Sequence, residues 1–211
     1  MIAVIDYKAG NLTSVVKALH AAGVDPVVTD DPAIVRSAER LILPGVGHFS
    51  ATQVLAERGL KAALAERIDS GVPFLGICVG LQWLFSGSSE APSCTGLGVF
   101  PEGCEKFAAD KKVPHVGWNT LAIRSGSRLL AGIADGSYVY FTHSWRAPVI
   151  HDTVAVTEYG VSLNASGGEG PAEAFSAAVE RENVMGVQFH PEKSGEAGLR
   201  VLRNFLELPL C

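Results

Sequence analysis

Through the first half of the chain, short β-branched runs alternate with amphipathic segments. Residues 2–6 predict a strand, and 11–22, with Val15, Val16 and Leu19 on one side, predict a helix. Residues 25–29 read as a second strand, 31–37 as a short helix opened by Asp31-Pro32, and 40–43 as a third strand ended by Pro44-Gly45. The segment 51–69 has helical spacing with a break at Gly59. Residues 73–77, bounded by Gly71 and Cys78, form an apolar run too short for a helix, which predicts a central parallel strand. This alternation implies an α/β fold: three layers, α/β/α, around a mostly parallel sheet that places ligands at the carboxyl ends of its strands.

From Leu97 onward the pattern changes. Residues 98–100, 121–123, 138–141, 154–158, 174–179 and 184–189 read as hairpin-like strands separated by polar or glycine-rich turns, Gly167-Gly168 among them. They predict an antiparallel extension of the same sheet, closed by a helix over 199–206. No repeat or linker interrupts the pattern, and 211 residues fit one core, so a single domain over 1–211 is expected.

Composition narrows the function. A net charge of -5 leaves no basic stripe for phosphate backbones or anionic lipid, which disfavours nucleic acid and membrane partners. No apolar run approaches the roughly 18 residues of a membrane span, and the start lacks a basic region followed by a long apolar stretch. Four scattered cysteines, Cys78, Cys94, Cys104 and Cys211, fit a reducing cytoplasm better than a disulfide framework. With no CxxC pair and dispersed histidines, no metal is expected.

One cysteine stands apart. In G-I-C-V-G-L-Q at 76–82, Cys78 falls between a predicted strand and a helix, with glycine two positions away on either side. Such an elbow lifts a nucleophile above the sheet, and the small neighbours let adjacent backbone pass close by. The helix N-terminus favours thiolate, and the amide of Val79 is placed to donate to an oxyanion. The remaining cysteines read as small buried hydrophobes. A cysteine nucleophile needs a base and a group that orients it. In Q-F-H-P-E at 188–192, His190 ends a strand and Pro191 stiffens the turn to Glu192, holding an imidazole and a carboxylate together.

The two motifs together resemble the class I glutamine amidotransferases. The resemblance implies that Cys78 attacks the side-chain amide of glutamine, His190 acts as base and then acid, and Glu192 orients it, with no cofactor. It also implies that Gly47, in the turn Pro44-Gly45-Val46-Gly47, shares the oxyanion hole with Val79. A second glycine often follows the first in other branches, where Val46 stands here. By resemblance, Gln82, Glu90, His143, Ser144 and Trp145 hold the glutamine α-groups, Glu90 taking the ammonium. Trp145 departs from the tyrosine usual in the family, so any role for a phenol hydroxyl is lost.

Four further stretches, 6–12, 44–47, 113–119 and 140–144, together with Lys193-Ser194, are similar to the glutaminase subunits of histidine biosynthesis. That branch implies a heterodimer with a TIM-barrel cyclase subunit that makes imidazole glycerol phosphate and aminoimidazole carboxamide ribotide. Asn11, Trp118 and Lys193 would face this partner. A glutaminase for another pathway, such as pyridoxal phosphate synthesis, and a cysteine hydrolase of related fold remain the alternatives.

Overall fold

The computed structural model describes residues 1–9, 11–124, 126–160 and 171–210, so Gly167-Gly168 and Cys211 lie outside the described residues. Its first half runs β1 (Ile2–Ile5), α1 (Leu12–Ala21), β2 (Val27–Thr29), α2 (Pro32–Ser37), β3 (Arg40–Gly45), a 3-10 turn (Phe49–Thr52), α3 (Gln53–Glu57), α4 (Leu60–Asp69), β4 (Phe74–Cys78) and α5 (Val79–Gln82). The second half supplies β5 (Glu105–Lys106), β6 (His115–Thr120), β7 (Ala122–Ile123), β8 (Tyr138–His143), β9 (Trp145–Arg146), β10 (Thr153–Tyr159), β11 (Glu173–Arg181), β12 (Val184–Val187), a second 3-10 turn (Pro191–Lys193) and α6 (Gly195–Leu206).

Eight strands form the central sheet in the order β2-β1-β3-β4-β12-β11-β10-β7. Going from β1 to β2 and then back past β1 to β3 reverses the winding, so right-handed crossovers put α1 on one face and α2 to α4 on the other. All five residues of β4 are buried, as a strand covered on both faces must be. Phe74, Leu75 and Ile77 each contribute roughly 2 kcal/mol of apolar burial there. In α1, Val15 and Leu19 are buried and Val16 is half-buried. Asp31 caps α2 by accepting from the Ala33 amide at 2.8 Å, with Pro32 in the first turn.

Several expectations need correction. Pro44-Gly45 does not end β3, which runs through both residues to pair Gly45 with Cys78. The β1 ladder stops at Ile42, so the missing proline N–H is lost where β3 has only one neighbour. Residues 98–100 give only an isolated bridge between Phe85 and Phe100. The strand at 138–141 joins β6 in a separate two-stranded sheet rather than extending the main one. The last run is mixed: β12 is antiparallel to β11 but parallel to β4. The closing helix begins at Gly195, four residues before the expected start.

Candidate active site

The parallel pairing of β12 with β4 places Val187 beside Ile77. The chain therefore leaves both strands at the same, carboxyl end of the sheet, Cys78 on one and Gln188 to His190 on the other. Cys78 has φ 54° and ψ -106°, a sparsely populated conformation for a non-glycine residue. Close packing on either side requires the two flanking glycines. A Cβ on Gly76 would overlap the Gly80 backbone, and one on Gly80 would overlap the Leu43 carbonyl oxygen of β3. The elbow is pinned between two strands.

The His190 backbone is held by β8. Its N–H donates to the Tyr140 carbonyl at 2.9 Å, and its carbonyl accepts from the Ser194 hydroxyl at 2.6 Å. The Tyr140 amide in turn donates to Ser194 Oγ at 3.0 Å. Nδ1–H of His190 donates to Glu192 Oε1 at 2.8 Å, both side chains being buried. Nε2 meets no partner of hydrogen-bonding geometry. Burial works against the imidazolium, but the proximity and charge of Cys78, together with the hydrogen bond to and charge of Glu192, outweigh it and push the His190 pKa up to about 9.

This shift fixes the sign of a pH effect. The protonated, paired His190 stabilises the fold fully below the ordinary histidine range near pH 6.5, and that contribution is lost as pH rises through about 9. With Glu192→Gln, the stability of the native protein minus that of the variant should therefore fall between pH 6.5 and pH 9 in urea titrations. A difference that stays flat or grows would reject the pairing. The same variant should lower kcat for glutamine hydrolysis on the order of 100-fold or more, because the imidazole loses its orienting charge.

One small cavity is lined by Cys78, Val79 and Gly47, by Gln82 and Glu90, and by Thr142, His143, Ser144 and Trp145. It brings together the cysteine with both expected oxyanion residues and all five expected glutamine-binding residues, and adds Thr142, which lies in the 140–144 stretch but to which the sequence reading assigns no role. Val79 opens α5, so its N–H is among the first-turn donors without a helical acceptor. Gly47 has φ 93°, which only glycine adopts without strain, and the preceding Val46 amide donates to the Ala9 carbonyl at 3.2 Å. Glu90 spends Oε2 on the Phe49 amide at 2.7 Å, leaving Oε1 for a ligand. Gln82 spends its amide nitrogen on the Trp145 carbonyl and on Gln188, so only Oε1 remains to meet a ligand. The Trp145 indole N–H reaches Ser89 Oγ at 3.1 Å.

The expected partner-facing residues lie on a separate surface. Trp118 is 55% exposed and meets Tyr140 edge-on at 6.0 Å, while the Lys193 ammonium sits 5.6 Å from the same ring. Asn11 is exposed at the start of α1, which packs on the 191–193 turn, and its side chain makes no capping bond. Exposed Val116 and Tyr138 flank Trp118 on the outer face of β6 and β8, an apolar surface the sequence reading missed. Among the described residues no group of three or more His, Cys, Asp or Glu is arranged to hold a metal, and no helix is long and apolar enough to cross a membrane.

Fold and site together define a cysteine-dependent amidotransferase class, and residues 3–208 match the model of the family described as Glutamine amidotransferase class-I, so the chain belongs to that family. Within it, the chain is 47% identical to the imidazole glycerol phosphate synthase subunit HisH of Methanothermobacter thermautotrophicus, over 99% of this chain and 98% of that protein. It is 46% identical to the protein of the same name from Thermococcus kodakarensis, covering 99% and 100% of the two chains. Among solved structures, PurLQS from Thermotoga maritima superposes with a TM-score of 0.71 at 22% identity, covering 97% of this chain and 96% of that one. A crystal structure of a glutamine amidotransferase gives 0.70 at 18% identity, covering 98% of each chain. These two likenesses concern the fold.

Proposed function

We propose that the chain is a single-domain glutaminase subunit that hydrolyses glutamine to glutamate and ammonia and passes the ammonia to a cyclase subunit in histidine biosynthesis. The observation that carries this reading is a cavity lined by Cys78, Glu90, His143 and Ser144, with the hydrogen-bonded His190–Glu192 pair near enough to Cys78 for the cysteine to raise the His190 pKa. The near-full-length similarity to subunits named for imidazole glycerol phosphate synthase supports the pathway.

The chemistry uses this chain's side chains and backbone amides. With His190 protonated, Cys78 acts as a thiolate and attacks the glutamine side-chain carbonyl carbon. The amides of Val79 and Gly47 take the developing oxyanion. Nε2–H of His190 protonates the nitrogen as the C–N bond breaks, releasing ammonia and leaving a γ-glutamyl thioester. Neutral His190 then removes a proton from water, whose oxygen attacks the thioester. Glutamate leaves, and the thiolate–imidazolium pair is restored. Glu90 Oε1 binds the α-ammonium of the substrate.

The surface around Trp118, Tyr140 and Lys193, with Asn11, serves the partner, a TIM-barrel cyclase in a cytoplasmic heterodimer. Tryptophan is favoured at the centre of such interfaces. The test is glutamate release by the protein alone, with the cyclase subunit, and with the cyclase subunit plus its nucleotide. Stimulation confined to the mixtures is expected. Activity indifferent to that partner would keep the glutaminase and reassign its pathway.

A further inference from the structure

We propose that four buried side chains, Gln188, Gln82, His143 and His115, form a positioning chain that aims the Cys78 sulfur and is anchored on β6; this deepens the glutaminase reading and rests on Cys78 being its nucleophile. The chain can be followed bond by bond. Gln188 Nε2–H donates to Cys78 Sγ at 3.6 Å. Gln188 Oε1 accepts from Gln82 Nε2 at 3.1 Å, and the second Gln82 proton goes to the Trp145 carbonyl at 2.8 Å. That carbonyl also accepts from His143 Nδ1 at 3.0 Å. His143 Nε2 lies 3.2 Å from His115 Nδ1, and His115 Nε2 lies 3.4 Å from the Asn119 amide nitrogen, which also donates to the Glu158 carbonyl at 2.9 Å.

The polarity of this chain is dictated by one atom. The Trp145 carbonyl only accepts, so Gln82 must turn its NH2 toward it and toward Gln188. Gln188 must then present its oxygen to Gln82 and its NH2 to the sulfur. On the other side, His143 must carry its proton on Nδ1 and accept at Nε2, so His115 must carry its proton on Nδ1 and accept from Asn119. Only neutral imidazoles fit, and burial pushes both pKa values down, to about 3 for His143 and about 4 for His115. His115 is locked in its plane between Tyr159, with centroids 3.9 Å apart, and Phe141, at 4.9 Å.

A donor aimed at sulfur favours thiolate and fixes where it points. Gln188 is wholly buried on the chain leaving β12, and Gln82 ends α5, the short helix that follows Cys78, so the elbow and the segment bearing His190 are tied by amides as well as by the sheet. The bland reading is that buried polar groups merely satisfy one another. It predicts changes in stability alone. A positioning chain predicts that loss of the terminal donor lowers kcat and leaves the KM for glutamine unmoved.

The test uses the full chain with the cyclase subunit and its nucleotide, comparing Gln188→Met, His115→Phe and the double variant. His115→Phe keeps the ring stacking and removes both hydrogen bonds. Expected are a kcat loss of about 10- to 100-fold for Gln188→Met and a smaller loss, about threefold or more, for His115→Phe. KM should stay within about twofold, and alkylation of Cys78 by iodoacetamide, followed on its peptide, should slow in parallel. The double variant should be no worse than Gln188→Met, because any effect of His115 on the sulfur passes through that amide. Losses that multiply in the double variant, or a raised KM with kcat intact, overturn the proposal. Should Gln188→Met fail to fold, His115→Phe decides alone, and an unchanged kcat overturns it. Absence of glutamate release from the unsubstituted complex would overturn the glutaminase reading itself, a result distinct from either.

Discussion

Cys78→Ala is expected to remove glutamine hydrolysis by a factor on the order of 10⁴ or more, while the complex still uses free ammonia for synthesis. In the proposed mechanism the Cys78 sulfur forms the thioester, and among the described residues no other cysteine lines the cavity. Cys94 and Cys104 are buried away from the cavity. Alanine keeps the backbone and nearly the volume of the site, so the fold and the partner surface should persist. The measurement is a paired assay, glutamate released from glutamine and product formed from added ammonium salt. Loss of both activities would mean that Cys78 supports the structure rather than the chemistry.

The second large effect concerns packing. Gly80→Ala would drive a methyl group into the Leu43 carbonyl oxygen, and both are backbone-bound groups in the tightly paired region of β3, β4 and α5. Neither can swing aside as a flexible side chain would, so the elbow must shift. A loss of about 3 kcal/mol of stability or more is expected, together with a fall in kcat from the displaced sulfur. Gly23 makes a useful control. It has φ 90° with open space around it, so alanine there meets only local backbone strain of about 1 kcal/mol. Equal urea midpoints for the two variants would show that the elbow tolerates movement and that the steric argument is wrong.

Much of the fold was legible because local patterns were strong. The five-residue apolar run of β4 between turn signals, the proline-initiated α2 and the break at Gly59, which has φ 72°, all appear near where the sequence puts them. Strand pairing across distance was not legible. The run at 184–189 is apolar on both faces, a composition that suits a parallel neighbour, an antiparallel one or both, and β12 has one of each. β6 escaped notice because Pro114 stands directly before it, Gly117 interrupts it, and its inward side is carried by His115 and Asn119 rather than by aliphatic residues.

The candidate site shows the same division. The glycine spacing around Cys78 and the His-Pro-Glu turn announce themselves, since strained elbows and oriented imidazoles leave few residue types available. Gln188 stood in plain view inside that motif, yet only coordinates reveal that its amide faces sulfur. Trp145 shows the opposite case. Its contribution to the hydrogen-bonded chain comes from a backbone carbonyl, which any residue would supply.

The placement of β12 has a bearing on biosynthesis of the protein itself. This strand is the last to be made and yet lies inside the sheet, between β4 and β11, so a growing chain holds Cys78 long before it holds the strand that delivers His190. Under the proposed roles, a ribosome-bound intermediate ending before Val184 would have the nucleophile without its base. On that mechanism glutamine would be safe from hydrolysis by incomplete molecules, and the appearance of activity during synthesis would report, in a single step, that the final strand has been inserted.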